Sequence, residues 1–151
     1  MQEGEHPYGD KGQIVIFILY IFILLADRFF IKTSLIHLSW LRWLIALSLF
    51  LFSFLLMKEG HKAVIAKNQQ SNLITDGVFK VVRHPLYLSI LIFYLSLSFF
   101  FNSFLGLVLL VPVFLFYNFI ASYEEKFLIK KFSDSYIAYQ KRTRRWLPKL
   151  K

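Results

Sequence analysis

Residues 38–57 carry a single charge, Arg42, in an otherwise apolar or small-polar run of twenty. At ~1.5 Å per residue, a helix of that length covers the ~30 Å hydrocarbon core of a bilayer. Three more apolar blocks share the pattern. Residues 14–26 break at Asp27-Arg28 and resume with Phe29, Phe30 and Ile31, a helix of about 18 residues that reaches across the core only marginally. Residues 86–101 and 104–119 are blocks of 16 divided by Asn102-Ser103, which signals a tight helical hairpin. With 57% hydrophobic residues against the ~45–50% of soluble domains, the chain holds more apolar surface than a water-soluble fold of this size hides. The expected fold class is all-α, a polytopic membrane protein of about four transmembrane helices with a C-terminal amphipathic basic helix. One membrane-embedded domain, 1–151, follows from the length. Its parts are 1–57, an N-terminal tail and two spans, and 58–151, a polar loop, the hairpin and a basic C-terminal segment.

Local features refine the spans. Trp40 and Trp43 suit an interfacial aromatic belt, Arg42 lies close enough to its helix end to snorkel, and Asp27 and Arg28 are expected at an interface. Pro112 should kink the fourth span. Residues 1–12 mix both charges with Gly and Pro and read as a short tail, without the basic n-region of a signal peptide.

The net charge is +9, and its placement decides what it means. Fifteen Lys and Arg fall in the N-terminal tail, the 58–83 loop and the C-terminal segment, while Arg28 and Lys32 lie on the other side and Arg42 sits inside a helix. Basic residues lying between and after apolar blocks are those of cytoplasmic loops beside anionic lipid, which assigns both termini to the cytoplasm and argues against nucleic acid as a partner. Leu128, Phe132, Tyr136 and Tyr139 share one helical face, so the C-terminal segment is expected to lie on the membrane. The absence of Cys excludes disulfides and thiolate chemistry, and the four scattered His lack the spacing of a metal site, so no metal is expected.

Two places depart from apolar spans and basic loops. In the first, Arg83-His84-Pro85-Leu86-Tyr87, Pro85 suits a first helical position and disfavours helical angles at His84. A helix start flanked by Arg83 and His84 either binds an anionic group or anchors the helix at headgroups. In the second, Glu124-Glu125 follows a span without charge, and these carboxylates serve a ligand or pair locally with Lys126, Lys130 or Arg142. A hairpin with arms of equal length returns both places to the same membrane face, within about 10 Å of each other.

The run Thr75-Asp76-Gly77-Val78-Phe79-Lys80-Val81-Val82-Arg83-His84-Pro85-Leu86-Tyr87, then Glu124-Glu125, Leu128, Phe132, Tyr136, Tyr139, Arg142 and Pro148, resembles the isoprenylcysteine carboxyl methyltransferases and related phospholipid methyltransferases. The likeness covers residues 68–150. It implies an integral membrane enzyme that transfers a methyl group from S-adenosyl-L-methionine to a small or lipid-like acceptor, a carboxylate, thiol or amine. Carried over by position, Ser71, Asn72, Leu73, Ile74, Phe79, His84, Pro85, Leu86 and Tyr87 contact the cofactor, and Glu124 holds one of its polar groups. Arg83 would orient an anionic acceptor and Glu125 would take a proton from an amine or thiol. Ser89 and Ser133 stand where the family commonly has Gly, replacements that a backbone with φ below zero accepts. Ile120 stands where eukaryotic prenylcysteine enzymes carry a substrate-binding Arg, which speaks against a prenylcysteine carboxylate.

Two other readings compete. Sterol reductases end in a similar pattern and use NADPH, though in longer chains. A non-enzymatic membrane adaptor would use Arg142, Arg144 and Arg145 to bind lipid or a partner.

Overall fold

The computed structural model describes residues 9–68 and 73–149. Among them every regular element is helical: α1 (Gly9–Ala26), a π-type turn (Asp27–Ile31), α2 (Ser39–Asn68), a 3-10 turn (Gly77–Lys80), α3 (Pro85–Phe101) and α4 (Phe104–Arg142). The stretch Lys11–Ile31, α2 and α4 are long and apolar enough to cross a membrane. α3, with 17 residues, reaches about 26 Å at ~1.5 Å per residue.

The apolar blocks set where the helices start, and polar side chains at the turns set how they pack. At the tip of the α3–α4 hairpin Asn102 takes left-handed angles (φ 56°), and Ser103 caps α4 by accepting from the Gly106 N–H at 3.0 Å. Asn102 Oδ1 accepts from the N–H groups of Leu35 and Ile36, both at 3.1 Å, and so ties the α1–α2 connection to the hairpin. Asp27 completes this end. Expected at an interface, it is 1% exposed within the protein, accepting from the Thr33 N–H at 3.0 Å and from the hydroxyls of Thr33 and Ser103. A carboxylate at that depth persists because its acceptor sites are filled by donors from two connections.

α2 packs along α3, and α1 lies against α4. Tyr20, Leu24, Tyr94, Val113 and Tyr117 form the buried core. The Tyr20 hydroxyl lies 3.0 Å from the carbonyl oxygens of Tyr94 and of Gly106 and 2.6 Å from Ser98 Oγ, so its polar end is satisfied deep within the helices. At Gly106 a Cβ would meet Leu24 at 2.7 Å and Ser98 at 2.8 Å, so a glycine is what lets α1, α3 and α4 approach here.

One expectation, that for Ser133, meets a different backbone. Non-helical angles in α4 occur at Ser133 (φ 44°, ψ −122°) and not at Pro112, which stays within the helix. Ser89 sits in α3 as a glycine replacement should. Ser133 does not, since it adopts the positive φ that its glycine counterpart tolerates and a side chain does not. Redirected there, residues 134–142 turn Tyr136 and Tyr139 into the protein, where they are buried, rather than onto lipid. Lys141 and Arg142 remain outside.

Candidate functional site

The site starts from a short loop. Gly77 takes φ 59°, the 3-10 turn follows, and Phe79 donates its N–H to the Asp76 carbonyl at 3.1 Å. His84 keeps non-helical angles (φ −121°, ψ 64°) because Pro85 occupies the first position of α3, as the sequence implies. Its carbonyl accepts the Leu88 N–H at 3.0 Å, which starts the helix.

α3 and α4 then return the two polar places to each other. Arg83 Nε and Nη2 lie 3.0 and 2.9 Å from Glu125 Oε1, and His84 Nε2 lies 3.0 Å from the same oxygen. A carboxylate only accepts, so Nε2 carries the hydrogen of that bond. His84 Nδ1 stands 3.6 Å from Glu124 Oε2, and the Tyr87 hydroxyl donates to Glu124 Oε1. The Tyr87 ring is stacked on that of His84, 5.7 Å between centroids with 9° between planes.

The adjacent glutamates have separate circumstances. The Glu125 side chain is 6% exposed and also receives Arg145, at 3.1 Å on Oε1 and 2.6 Å on Oε2, and Gln140 Nε2 at 3.3 Å. Burial pushes its pKa up, but the hydrogen bonds from His84 and Arg145 and the charge of Arg83 outweigh it and bring the value down to about 2. Glu125 lies beyond the apolar part of α4, six residues past position 119. A carboxylate this well supplied with donors is a poor base, so the geometry lends no support to the proton-accepting role expected for it. Arg83 is committed too, donating through Nη1 to the carbonyls of Thr143 at 2.6 Å and Gln140 at 3.3 Å, which leaves it ill placed to orient an anionic acceptor. Glu124, at 24% side-chain exposure, is the more open carboxylate.

The remaining expected residues fall around this network. Leu73 and Ile74 are half-buried in the loop. Phe79 is half-buried and accepts from the Tyr139 hydroxyl at 2.6 Å through its carbonyl. Leu86 packs under α2, where a Cβ on Gly60 would come within 2.6 Å of it, and Pro85 is buried. Ser71 and Asn72 lie outside the described residues. Asn118, Gln140, Arg145 and Trp146 join the network without having been expected there. Arg145 stood among the basic residues read as lipid contacts, and the signal that sets it apart is the Trp146 beside it, an aromatic in a charged tail.

The family model for phospholipid methyltransferases matches residues 60–135. The chain belongs to that family. The matched stretch contains the 3-10 turn, the hairpin and both glutamates, while Gln140, Arg145 and Trp146 lie beyond it. The protein-S-isoprenylcysteine O-methyltransferase of Schizosaccharomyces pombe is 29% identical over 90 residues. That similarity covers 59% of this chain and 38% of the yeast protein's length.

Proposed function

We propose that this protein is a multi-pass membrane methyltransferase, dependent on S-adenosyl-L-methionine and acting on a small or lipid-like acceptor. Four spans with both termini cytoplasmic complete the reading, supported by the distribution of Lys and Arg. The observation that carries it is the convergence of Arg83, His84 and Tyr87 at the start of α3 on Glu124 and Glu125 in α4.

The donor set fits the cofactor. Glu124 accepts hydrogen bonds of the kind an ammonium or ribose hydroxyl offers, the Tyr87 ring supplies an aromatic face for a purine, and the N-terminus of α3 favours a carboxylate. The cofactor supplies a methyl group on a sulfonium, activated for displacement. The chain's residues hold it by polar contacts, orient it through the rigid Arg83–Glu125 framework, and exclude water by burial. With Glu125 saturated and Arg83 paired, the protein's contribution is alignment of donor and acceptor more than proton transfer. Glu124, Tyr87 and His84 would hold the methyl donor, whose methyl would pass to a lone pair of the acceptor with the neutral sulfide as leaving group. A thiol or amine acceptor loses its proton to solvent, and a carboxylate needs none removed.

A lipid-like acceptor is supported by a groove of about 290 Å³ lined by Ile14, Phe17, Ile90, Phe93, Tyr94 and Tyr117, with Gln13 at its polar edge. Tyr117 connects it to the site, its ring centroid 5.5 Å from that of Tyr87. The test is ligand-dependent thermal stabilisation of the detergent-purified protein by S-adenosylmethionine, S-adenosylhomocysteine and NADPH. Stabilisation by the first two, lost in His84→Ala and Glu124→Ala, is the expected result. A response to NADPH alone points to a reductase, and no response to any of the three points to an adaptor.

A further inference from the structure

The tail beyond α4 carries several cations, and one of them behaves differently. Lys141, Arg142, Arg144 and Lys149 are exposed, whereas Arg145 turns inward. Its Nε and Nη2 grip both oxygens of Glu125 at 3.1 and 2.6 Å, and its Nη1 lies 2.9 Å from both Asn118 Oδ1 and Ser122 Oγ. Trp146 shares the anchor, its indole N–H donating to Asn118 Oδ1 at 3.1 Å, and its ring lies 6.1 Å from His84 and 5.4 Å from Phe114. The backbone follows: Arg83 donates its N–H to the Arg144 carbonyl at 2.9 Å, and Thr143 Oγ1 donates to the Lys80 carbonyl at 3.4 Å. Residues 143–146 thus form a strap across the loop and Glu125.

A guanidinium that takes both oxygens of a carboxylate fixes its plane as well as its position. Arg83 and His84 both bond Oε1, so the plane that Arg145 sets decides where Oε1 points and hence where the His84 ring lies. The ring in turn directs Nδ1 at Glu124. The chain of contacts runs from Arg145 through Glu125 and His84 to Glu124.

We propose that Arg145 is a positioning residue of the methyl-donor site and that Trp146 forms part of the wall of that site. The proposal rests on the methyl-donor reading above. The strap lies beyond residue 135, where the family match ends.

The chain has three Trp, so Trp40→Phe with Trp43→Phe leaves Trp146 as the sole indole reporter. In that full-length background, S-adenosylhomocysteine is titrated against Trp146 emission and thermal midpoint. The expected result is an emission change on binding, a dissociation constant raised at least about 10-fold by Arg145→Ala, an intermediate value for Arg145→Lys, and a parental value for Lys131→Ala. A merely structural role would leave emission silent on ligand addition. If Arg145→Ala does not fold, Asn118→Leu carries the test, since it removes the oxygen shared by Arg145 and Trp146 and leaves Glu125 its other partners. Binding there is expected to weaken about 3- to 10-fold. Parental affinity in the folded variants, or no emission change in a parent that the ligand stabilises, overturns the proposal alone. A parent neither stabilised nor altered in emission overturns the methyl-donor reading and the proposal with it.

Discussion

Arg83 Nη2 stands 2.9 Å from Glu125 Oε1, across 42 positions of sequence, and the pair is buried on both sides, with 12% and 6% side-chain exposure. The hairpin of α3 and α4 creates this contact, because arms that start and finish at one face return their ends to each other. Around it the adjacent glutamates divide their tasks: Glu125 binds the protein together, and Glu124, held by the Tyr87 hydroxyl, keeps more of its surface open.

That division predicts different effects of two neighbouring substitutions. Glu125→Ala leaves Arg83, Arg145 and His84 without their shared acceptor and is expected to cost about 3 to 5 kcal/mol of stability, the usual penalty for breaking a buried ion pair from one side. Glu124→Ala removes the acceptor of the Tyr87 hydroxyl and is expected to cost less stability, about 1 kcal/mol, while it weakens S-adenosylhomocysteine binding about 10-fold or more. Thermal midpoints with and without ligand check both. A Glu125 variant as stable as the parent would refute the assignment of that residue as a framework group.

Acid should release the same framework. The Glu125 pKa falls from 4.5 to about 2 in the folded chain, so the carboxylate stabilises the fold at pH above about 4.5, and that contribution is lost as pH drops toward about 2. The shift corresponds to about 3 kcal/mol at full ionisation. Between pH 5 and 8 the contribution is flat. The thermal midpoint of the parent should therefore fall more steeply below pH 4.5 than that of Glu125→Gln, measured in parallel.

Ser133 offers a gain of stability. A residue with a side chain at φ 44°, ψ −122° is strained by roughly 1 to 3 kcal/mol, and glycine is not. Ser133→Gly is expected to raise stability by about 1 kcal/mol, after the entropy glycine loses on folding, and Ser133→Val to lower it. Chemical denaturation of the three proteins orders them, and a destabilised glycine variant would contradict the strain.

Orientation has a direct test because the chain contains no Cys. The proposed orientation, both termini cytoplasmic, predicts that Lys131→Cys reacts with a membrane-impermeant thiol reagent only after the membrane is opened and that Arg28→Cys reacts in intact cells. Both positions are exposed in the structure. The reverse labelling pattern would invert the topology.

Much of the site was legible because it was written in local terms. Asn102-Ser103 between equal apolar blocks predicts a hairpin, and Pro85 predicts where α3 starts and why His84 stays non-helical. The convergence of residues 83–87 with 124–125 then follows from helix length alone. Other features were not legible for an equally definite reason. Asp27-Arg28 has the composition of a headgroup anchor, and only the fold of the α1–α2 connection onto Ser103 makes Asp27 a buried acceptor. Ser133 hinted at positive φ only through its glycine counterpart in the family, since serine itself normally avoids such angles.

The sequence by itself determined an all-helical membrane chain, the order of its spans and the two polar clusters, because apolar length, charge placement and proline act through near neighbours. Tertiary structure decided which partner each charge took. Arg83 and Arg145 are both basic residues beside an apolar stretch, and nothing in their own surroundings says that both converge on Glu125 while Arg142 and Arg144 face outward. The reversal of the chain at Ser133 and the return of residues 143–146 set those directions. Such pairings depend on the positions of groups distant in sequence, and burial makes them strong only once the helices have packed.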